Sequence, residues 1–559
     1  MKKSFIYLAV LALGLTACEN DVENYAPVAG NGEAALLSVN LKAAGTFGAT
    51  KAAATVGNFE YGSPEENEVK NVDFYFFDAS GNAYSVVNTG ENVITWTANT
   101  ENPAGSVEEV SNVVLVIKKH QTALPAKVVA IINSTKDEYK NLSLETMATK
   151  LVTNVKTTHG YVMSNSVYAD GDVVINATDI LPENIFAAED ADLPATPGNV
   201  IANDKVTSLK INPVDIYVER VAAKVRVAAS TAKVGDKELE LMAVYDSKGK
   251  VQMEDADGNA VYAKILGWNV TNTVNAANTL KAINPAWTEE DTKFTPWNNA
   301  AFFRSYWAET PTACVPAHTH TFESLTDSNA KYYFENTKAT ADANSVTEGE
   351  GNQTPQLLVA AQLVNNKGEA IQLAKWYNVL YTIEDLQVAM VNQIASKMYV
   401  KRNVVTEGDV TETYYSSVTV SDVEFVQRAE DTADNRYEVI MVAKDGVEYY
   451  SPANAKENGT AMTATEAKAI IDGVDPAMMW TEGSTYYYLD IPHFGTATGM
   501  VRNHVYDIKL TKVLGFGTPV YNPKDIITPE RPDDQPAANI AAQINILSWH
   551  VVSNEVELQ

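Results

Sequence analysis

The sequence predicts a mainly β protein with a few short helices and long loops. Three observations carry that expectation. Apolar residues recur at every second position in stretch after stretch, which is the period of a half-buried strand. β-Branched residues are abundant and the 27 Tyr dominate the aromatics, a composition that suits pleated surfaces. The clearest helical spacing is confined to residues 142–151, where Ser143 stands as N-cap before Leu144, Met147 and Leu151.

The totals bound the rest. At 559 residues the chain is too long for one core, and two to four domains are expected. An apolar content of 45% allows sizeable cores without help from metal or membrane. With 42 basic against 71 acidic residues the net charge is -29, which argues against nucleic acid and anionic lipid surfaces as partners. Cys18 and Cys314 are the only cysteines, so there is no disulfide framework.

The N-terminus accounts for one of them. Met1-Lys2-Lys3 is a basic start, residues 5–13 are a short apolar run, and Leu15-Thr16-Ala17-Cys18 follows. This resembles a bacterial lipoprotein signal, which implies cleavage between Ala17 and Cys18 and acylation of Cys18. The apolar run is too short to span a bilayer, and no other stretch approaches 18 uninterrupted apolar residues.

In chain order, residues 19–32 read as a polar tether. Ala35, Leu37, Val39 and Leu41 then mark a strand by their period. Residues 42–57 are a small-residue run containing Lys42 and Lys51, the kind of segment proteases cut. A good strand is thus followed by a cuttable linker. The body opens at residues 69–77 (VKNVDFYFF), apolar on both faces near its end, and 93–97, 113–118, 127–133 and 160–168 continue the strand pattern. Residues 180–200 read as a loop. Residues 214–229 (VDIYVERVAAKVRVAA) read as one long alternating strand that enters a second domain.

In that second region Asp255-Ala256-Asp257-Gly258-Asn259 is a turn before a strand at 261–270. Residues 332–334 and 356–363 read as core strands, 380–404 as a helix and a strand, and 486–491 with 501–514 as closing strands. The tail is different. Ile540, Ala542, Ile544 and Ile546 share one strand face, Gln543 and Asn545 fall between them, and Leu547 and Trp549 prolong the apolar content. Before it, residues 525–536 hold Pro529, Pro532 and Pro536, an extended spacer that packs poorly. Such a strand either pairs with another copy of the chain or closes its own domain.

Catalytic and metal signals are thin. Cys314, His318 and His320 show no fourth ligand and lie among prolines. Asp255-x-Asp257-Gly258 lacks the Glu of a calcium loop, since Leu266 holds the twelfth position. No nucleophile elbow, phosphate loop or dinucleotide fingerprint is present, and His504 reads as a strand residue. No enzyme and no cofactor is expected.

Several segments together resemble the Bacteroidetes fimbrillins that build type V pili, and most closely a fimbrial shaft subunit. They are the signal at Cys18, EVKNVDFYFFDASG at 68–81, VERVAAKVRV at 218–227, Gly267-Trp268, Arg304-Ser305-Tyr306-Trp307, Phe334-Glu335-Asn336-Thr337, VRNHVYDI at 501–508 and residues 549–558. The resemblance implies two β-sandwich-like (transthyretin-like) domains, export as an outer-membrane lipoprotein, and a surface protease that removes the first strand. It also implies a homopolymer formed by strand exchange, with anchor and tip subunits and surface receptors as further partners. A tip or accessory adhesin is the alternative role, and a glycan-binding lipoprotein a more distant one. The family cut follows an Arg, but this chain has none before Arg220. Lys51 holds the matching place, so the expected cut is Lys51–Ala52. The expected organisation is a signal at 1–17, a propeptide at 18–51, β-domains at 52–213 and 214–524, and spacer with donor strand at 525–559.

Overall fold

The computed structural model describes residues 34–43, 62–98, 113–118, 124–170, 173–187, 196–202, 212–283, 308–311, 322–325, 330–336, 355–405, 411–428, 438–491, 499–519, 539–548 and 552–553. Among the described residues strands dominate, and the helices are few and short.

The first sheet is built from β1 (Ala34–Ala43), β2 (Asn71–Phe77), β3 (Val93–Thr97), β4 (Val113–Lys118), β5 (Lys127–Ile132), β6 (Met163–Asn165), β7 (Ile185–Ala187), β8 (Val200–Ala202) and β9 (Val214–Arg220). Their order is β8-β4-β1-β9-β6-β5-β2-β3, with β7 also on β1. Both faces of β2 are buried, which is why its sequence does not alternate with polar residues. Val72, Phe74 and Phe76 enter the core that holds Leu37, Val39 and Leu41, while Tyr75 and Phe77 meet Leu144 and Met147. Those two residues come from the helix Leu144–Thr149, whose N-cap Ser143 accepts from the Thr146 N–H, as the sequence predicts.

The second sheet comprises β10 (Ala222–Ala229), β11 (Leu239–Tyr245), β12 (Tyr262–Thr271), β13 (Lys331–Phe334), β14 (Gln356–Val364), β15 (Ser484–Asp490), β16 (His504–Leu514) and β17 (Asn539–Ser548). The order is β13-β10-β16-β11-β12-β14-β15, and β17 pairs with β16. A bulge between Ile265 and Gly267 bends β12. A Cβ on Gly267 would stand 2.7 Å from the Glu323 carbonyl oxygen, so only glycine fits there. The turn at Asp255 forms as expected, with its Oδ1 accepting from the N–H groups of Asp257 and Asn259 and with Gly258 at φ +82°.

Two readings are corrected. Residues 214–229 are two strands, not one: β9 belongs to the first sheet, β10 to the second, and only Val221 lies between them. Residues 160–168 hold short strands at Gly160–Tyr161 and Met163–Asn165, and another starts at Tyr168. The structure also adds a unit. Between β14 and β15 the chain builds a sheet from Leu373–Trp376, Val379–Tyr381, Val423–Gln427, Glu438–Ala443 and Ala477–Trp480. Helices Ile383–Asn392 and Ala464–Ile471 pack on it around Leu386, Met390, Met441 and Ile471, a core of its own.

Candidate functional site: the seat of the first strand

β1 lies inside the sheet rather than at its edge. Residues 34–39 run antiparallel to β4, from Ala34 opposite Lys118 to Val39 opposite Val113. Residues 39–43 run parallel to β9, from Val39 beside Val214 to Ala43 beside Val218. β7 takes the edge at Ala35, Leu36 and Leu37. Ala35, Leu37, Val39 and Leu41 are at most 1% exposed and enter the main core of this sheet. Leu36 points the other way, into a cluster with Val114, Val116 and Ile201. The remaining positions are polar. Ser38 is buried, and Asn40 Nδ2 donates to Asp215 Oδ1 at 3.1 Å. Taking β1 away would open apolar walls on both faces and strip backbone partners from β4 and β9.

The chain just after the linker is pinned separately. The helix Pro64–Asn67 starts with a capping box between Ser63 and Glu66. Glu66 is 1% exposed and faces Lys224 of β10 at 2.9 Å and the Tyr332 hydroxyl of β13. Arg220 donates from Nε to the Glu66 carbonyl at 2.9 Å and from Nη1 to Asn503 Oδ1 at 3.3 Å. This knot ties the residues after the linker to both sheets. Burial alone would raise the Glu66 carboxyl, but hydrogen bonds from Tyr332, Lys224 and the Ser63 N–H outweigh it and hold the group below its ordinary value of 4.5. Its contribution is therefore present above that value and lost as acid protonates the folded carboxylate. Glu66→Gln should cost about 1.5–3 kcal/mol at pH 7 and flatten the acid limb of a stability-against-pH profile. Melting curves from pH 3 to 7 check this.

A second buried cluster sits where the sheets meet. Lys281 and Glu219 pair at 3.0 Å with side chains 0% and 2% exposed. Arg502 pairs with Glu335 at 0% and 1% exposure, and also donates to the Asn278 and Thr279 carbonyls. Burial pushes the Glu219 carboxyl up, against the pull of Lys281 and Arg502. Glu335 and Arg502 come from two of the segments on which the family resemblance rests. Their pairing is the long-range contact behind those short motifs.

The other predicted site residues divide. Ile540, Ala542, Ile544, Ile546 and Leu547 form β17, which in the free chain pairs antiparallel with β16 from His504↔Ser548 to Leu514↔Asn539. Ala17, Cys18, Lys51, Ala52, Trp549 and the spacer 525–536 lie outside the described residues, as do Cys314, His318 and His320. His504 is a buried residue of β16, with Nδ1 2.7 Å from the Arg502 carbonyl.

Residues 478–555 match the family model described as major fimbrial subunit protein type IV, fimbrillin, C-terminal. The matched segment spans β15, β16 and β17, so the tail and the strand that seats it both belong to it. This C-terminal region is similar to that of the fimbrillins. Solved structures similar to the chain include a fimbrilin from Porphyromonas gingivalis, 12% identical, covering 94% of this chain and 100% of that one at a TM-score of 0.36. The tip fimbrial protein of the same organism is 9% identical, with coverage of 92% and 100% and a TM-score of 0.30. Its fimbrial anchor protein is 9% identical, with coverage of 76% and 98% and a TM-score of 0.22. At such scores the whole-chain likeness carries no argument, and the family match is confined to residues 478–555. No curated protein matches the chain in sequence.

Proposed function

We propose that this chain is a fimbrillin, a shaft subunit of a surface fimbria that polymerises by protease-triggered strand exchange. The observation that supports the reading is the seat of β1, buried on both faces and bordered by β4 on one edge and β9 on the other. A strand in that position is removable only if another strand replaces it. In the proposed sequence of events Cys18 is acylated after cleavage at Ala17, and the precursor reaches the outer membrane with β1 in place. A surface protease then cuts between Lys51 and Ala52. The knot around Glu66 holds the chain beyond the linker while β1 leaves. The tail of another copy then fills the seat, which is strand addition between proteins. Because donor and acceptor surfaces differ, the contact is heterologous and continues as a filament when its rotation does not close. Such a filament, held by anchor and tip subunits, would serve adhesion, biofilm and host colonisation.

N-terminal sequencing of purified filaments tests the reading. The expected start is near Ala52, and Lys51→Ala should slow maturation. Filaments whose subunits begin at Cys18 or Glu19 would overturn strand removal.

A further inference from the structure

From the placement of polar residues in two stretches of this one chain, we infer the register in which the tail of one copy fills the seat of β1 in another: Ile544 at the place of Val39, Asn545 at that of Asn40, and Ile546 at that of Leu41, with Asn545 pinned to Asp215. The inference rests on the strand exchange proposed above and goes further, because it names the residues that choose the register and the direction of the incoming strand.

β1 reads Ala35-Leu36-Leu37-Ser38-Val39-Asn40-Leu41, and its seat sets a demand at each position. Positions 35, 37, 39 and 41 enter the main core, 36 enters the smaller cluster, and the polar pair falls at 38 and 40. The tail reads Ile540-Ala541-Ala542-Gln543-Ile544-Asn545-Ile546. Laid on β1 in the same direction it puts apolar residues on every apolar position and Gln543 and Asn545 on the two polar ones. The neighbouring registers fail. A shift of one residue turns the apolar set to the wrong face. A shift of two toward the C-terminus puts Gln543 at the buried place of Leu36, Leu547 opposite Asp215 and Ser548 at the place of Leu41. A shift of two the other way puts Asn539 at the place of Leu36 and Ala542 at that of Val39.

The partner of Asn545 supplies a second, independent observation. In the seat, Asn40 lies opposite Asp215 in the ladder and donates to it. In its own sheet, Asn545 lies opposite Asp507 of β16. Both places open to the tail strand therefore set an aspartate opposite the same asparagine in the ladder, Asp507 also accepting from Arg226 Nε at 2.9 Å, although the strand is antiparallel to β16 in one and parallel to β9 in the other. At this half-buried place an amide facing a carboxylate favours one register, since a register that replaces it with Leu547 leaves Asp215 without that hydrogen bond.

Cysteine pairs in a Cys314→Ser background test the register. In the sheet Leu37 is opposite Leu115 of β4, and the inferred register brings Ala542 to that place. Filaments of the Ala542→Cys, Leu115→Cys chain should give a ladder of disulfide-linked multimers on a non-reducing gel. The Ile540→Cys and Ile544→Cys partners of Leu115→Cys should give at least tenfold less. A ladder strongest with either of those partners overturns the register while leaving strand exchange standing. Filaments that give no ladder with any of the three overturn strand exchange itself. Should Leu115→Cys fail to fold, Ile544→Cys with Val113→Cys reads the same register from the next position on that face. Adding Asn545→Leu should spread the crosslinks over two registers, and a ladder that stays single in that variant overturns the role given to the Asn545–Asp215 pair.

Discussion

A chain that begins at Ala52 should not accumulate as a soluble folded monomer, and a peptide of residues 34–43 supplied during refolding should rescue it. Leu36, Leu37, Val39 and Leu41 are each at most 1% exposed in the structure. At about 1.5–3 kcal/mol for each large side chain, their burial contributes roughly 6–12 kcal/mol. A whole domain is stable by only about 5–15 kcal/mol. The seat without its strand is thus close to the limit of folding, before the unmatched edges of β4 and β9 are considered. The same magnitude means that cutting the linker does not by itself eject β1. Circular dichroism, gel filtration and a thermal melt of the shortened chain, with and without peptide, read the result. A shortened chain that melts within a few degrees of the full one, without peptide, would show that β1 is dispensable to the fold.

Arg502→Met should be the most damaging single change at the meeting of the two sheets. It removes the cation from Glu335, a carboxylate 1% exposed, in a region that already holds the buried Glu219. Breaking a buried pair from one side costs about 3–5 kcal/mol, because the surviving charge is left desolvated. At roughly 2–4 °C per kcal/mol for a domain of this size, the melting temperature should fall by on the order of 10 °C. The double variant Arg502→Met, Glu335→Leu should recover most of that loss, since it leaves no lone charge. A single variant that melts with the wild type would mean that water reaches Glu335.

The sequence shows some of this architecture plainly and hides the rest for identifiable reasons. β3 and β4 and the helix at Leu144 were legible because their signals are local: alternation, a run of β-branched residues, a serine cap. The break at Val221 was not, because alternation runs on through it with no glycine or proline. What turns the chain there is Arg220, held by the Glu66 carbonyl and Asn503, partners 154 and 283 residues away. The unit between β14 and β15 went largely unread, since its strands are short and polar residues interrupt them. Its helix at Ala464 carried a usable sign, the capping box of Thr463 and Glu466. The buried Lys281–Glu219 and Arg502–Glu335 pairs look, in an acidic chain, like four more surface charges. Only tertiary burial distinguishes them.

The two places open to the tail also differ in how they carry load. In its own sheet β17 has β16 along its length and only the two-residue strand Val552–Ser553 on its other side. In the seat of β1 a strand has β4 on one edge and β7 and β9 on the other. A pull directed along the strand would then have to break two ladders rather than one. On the proposed exchange, the tail passes from a nearly one-sided ladder to a two-sided one, which holds better against traction. A fibre built this way would be easy to assemble from free subunits and hard to pull apart by flow.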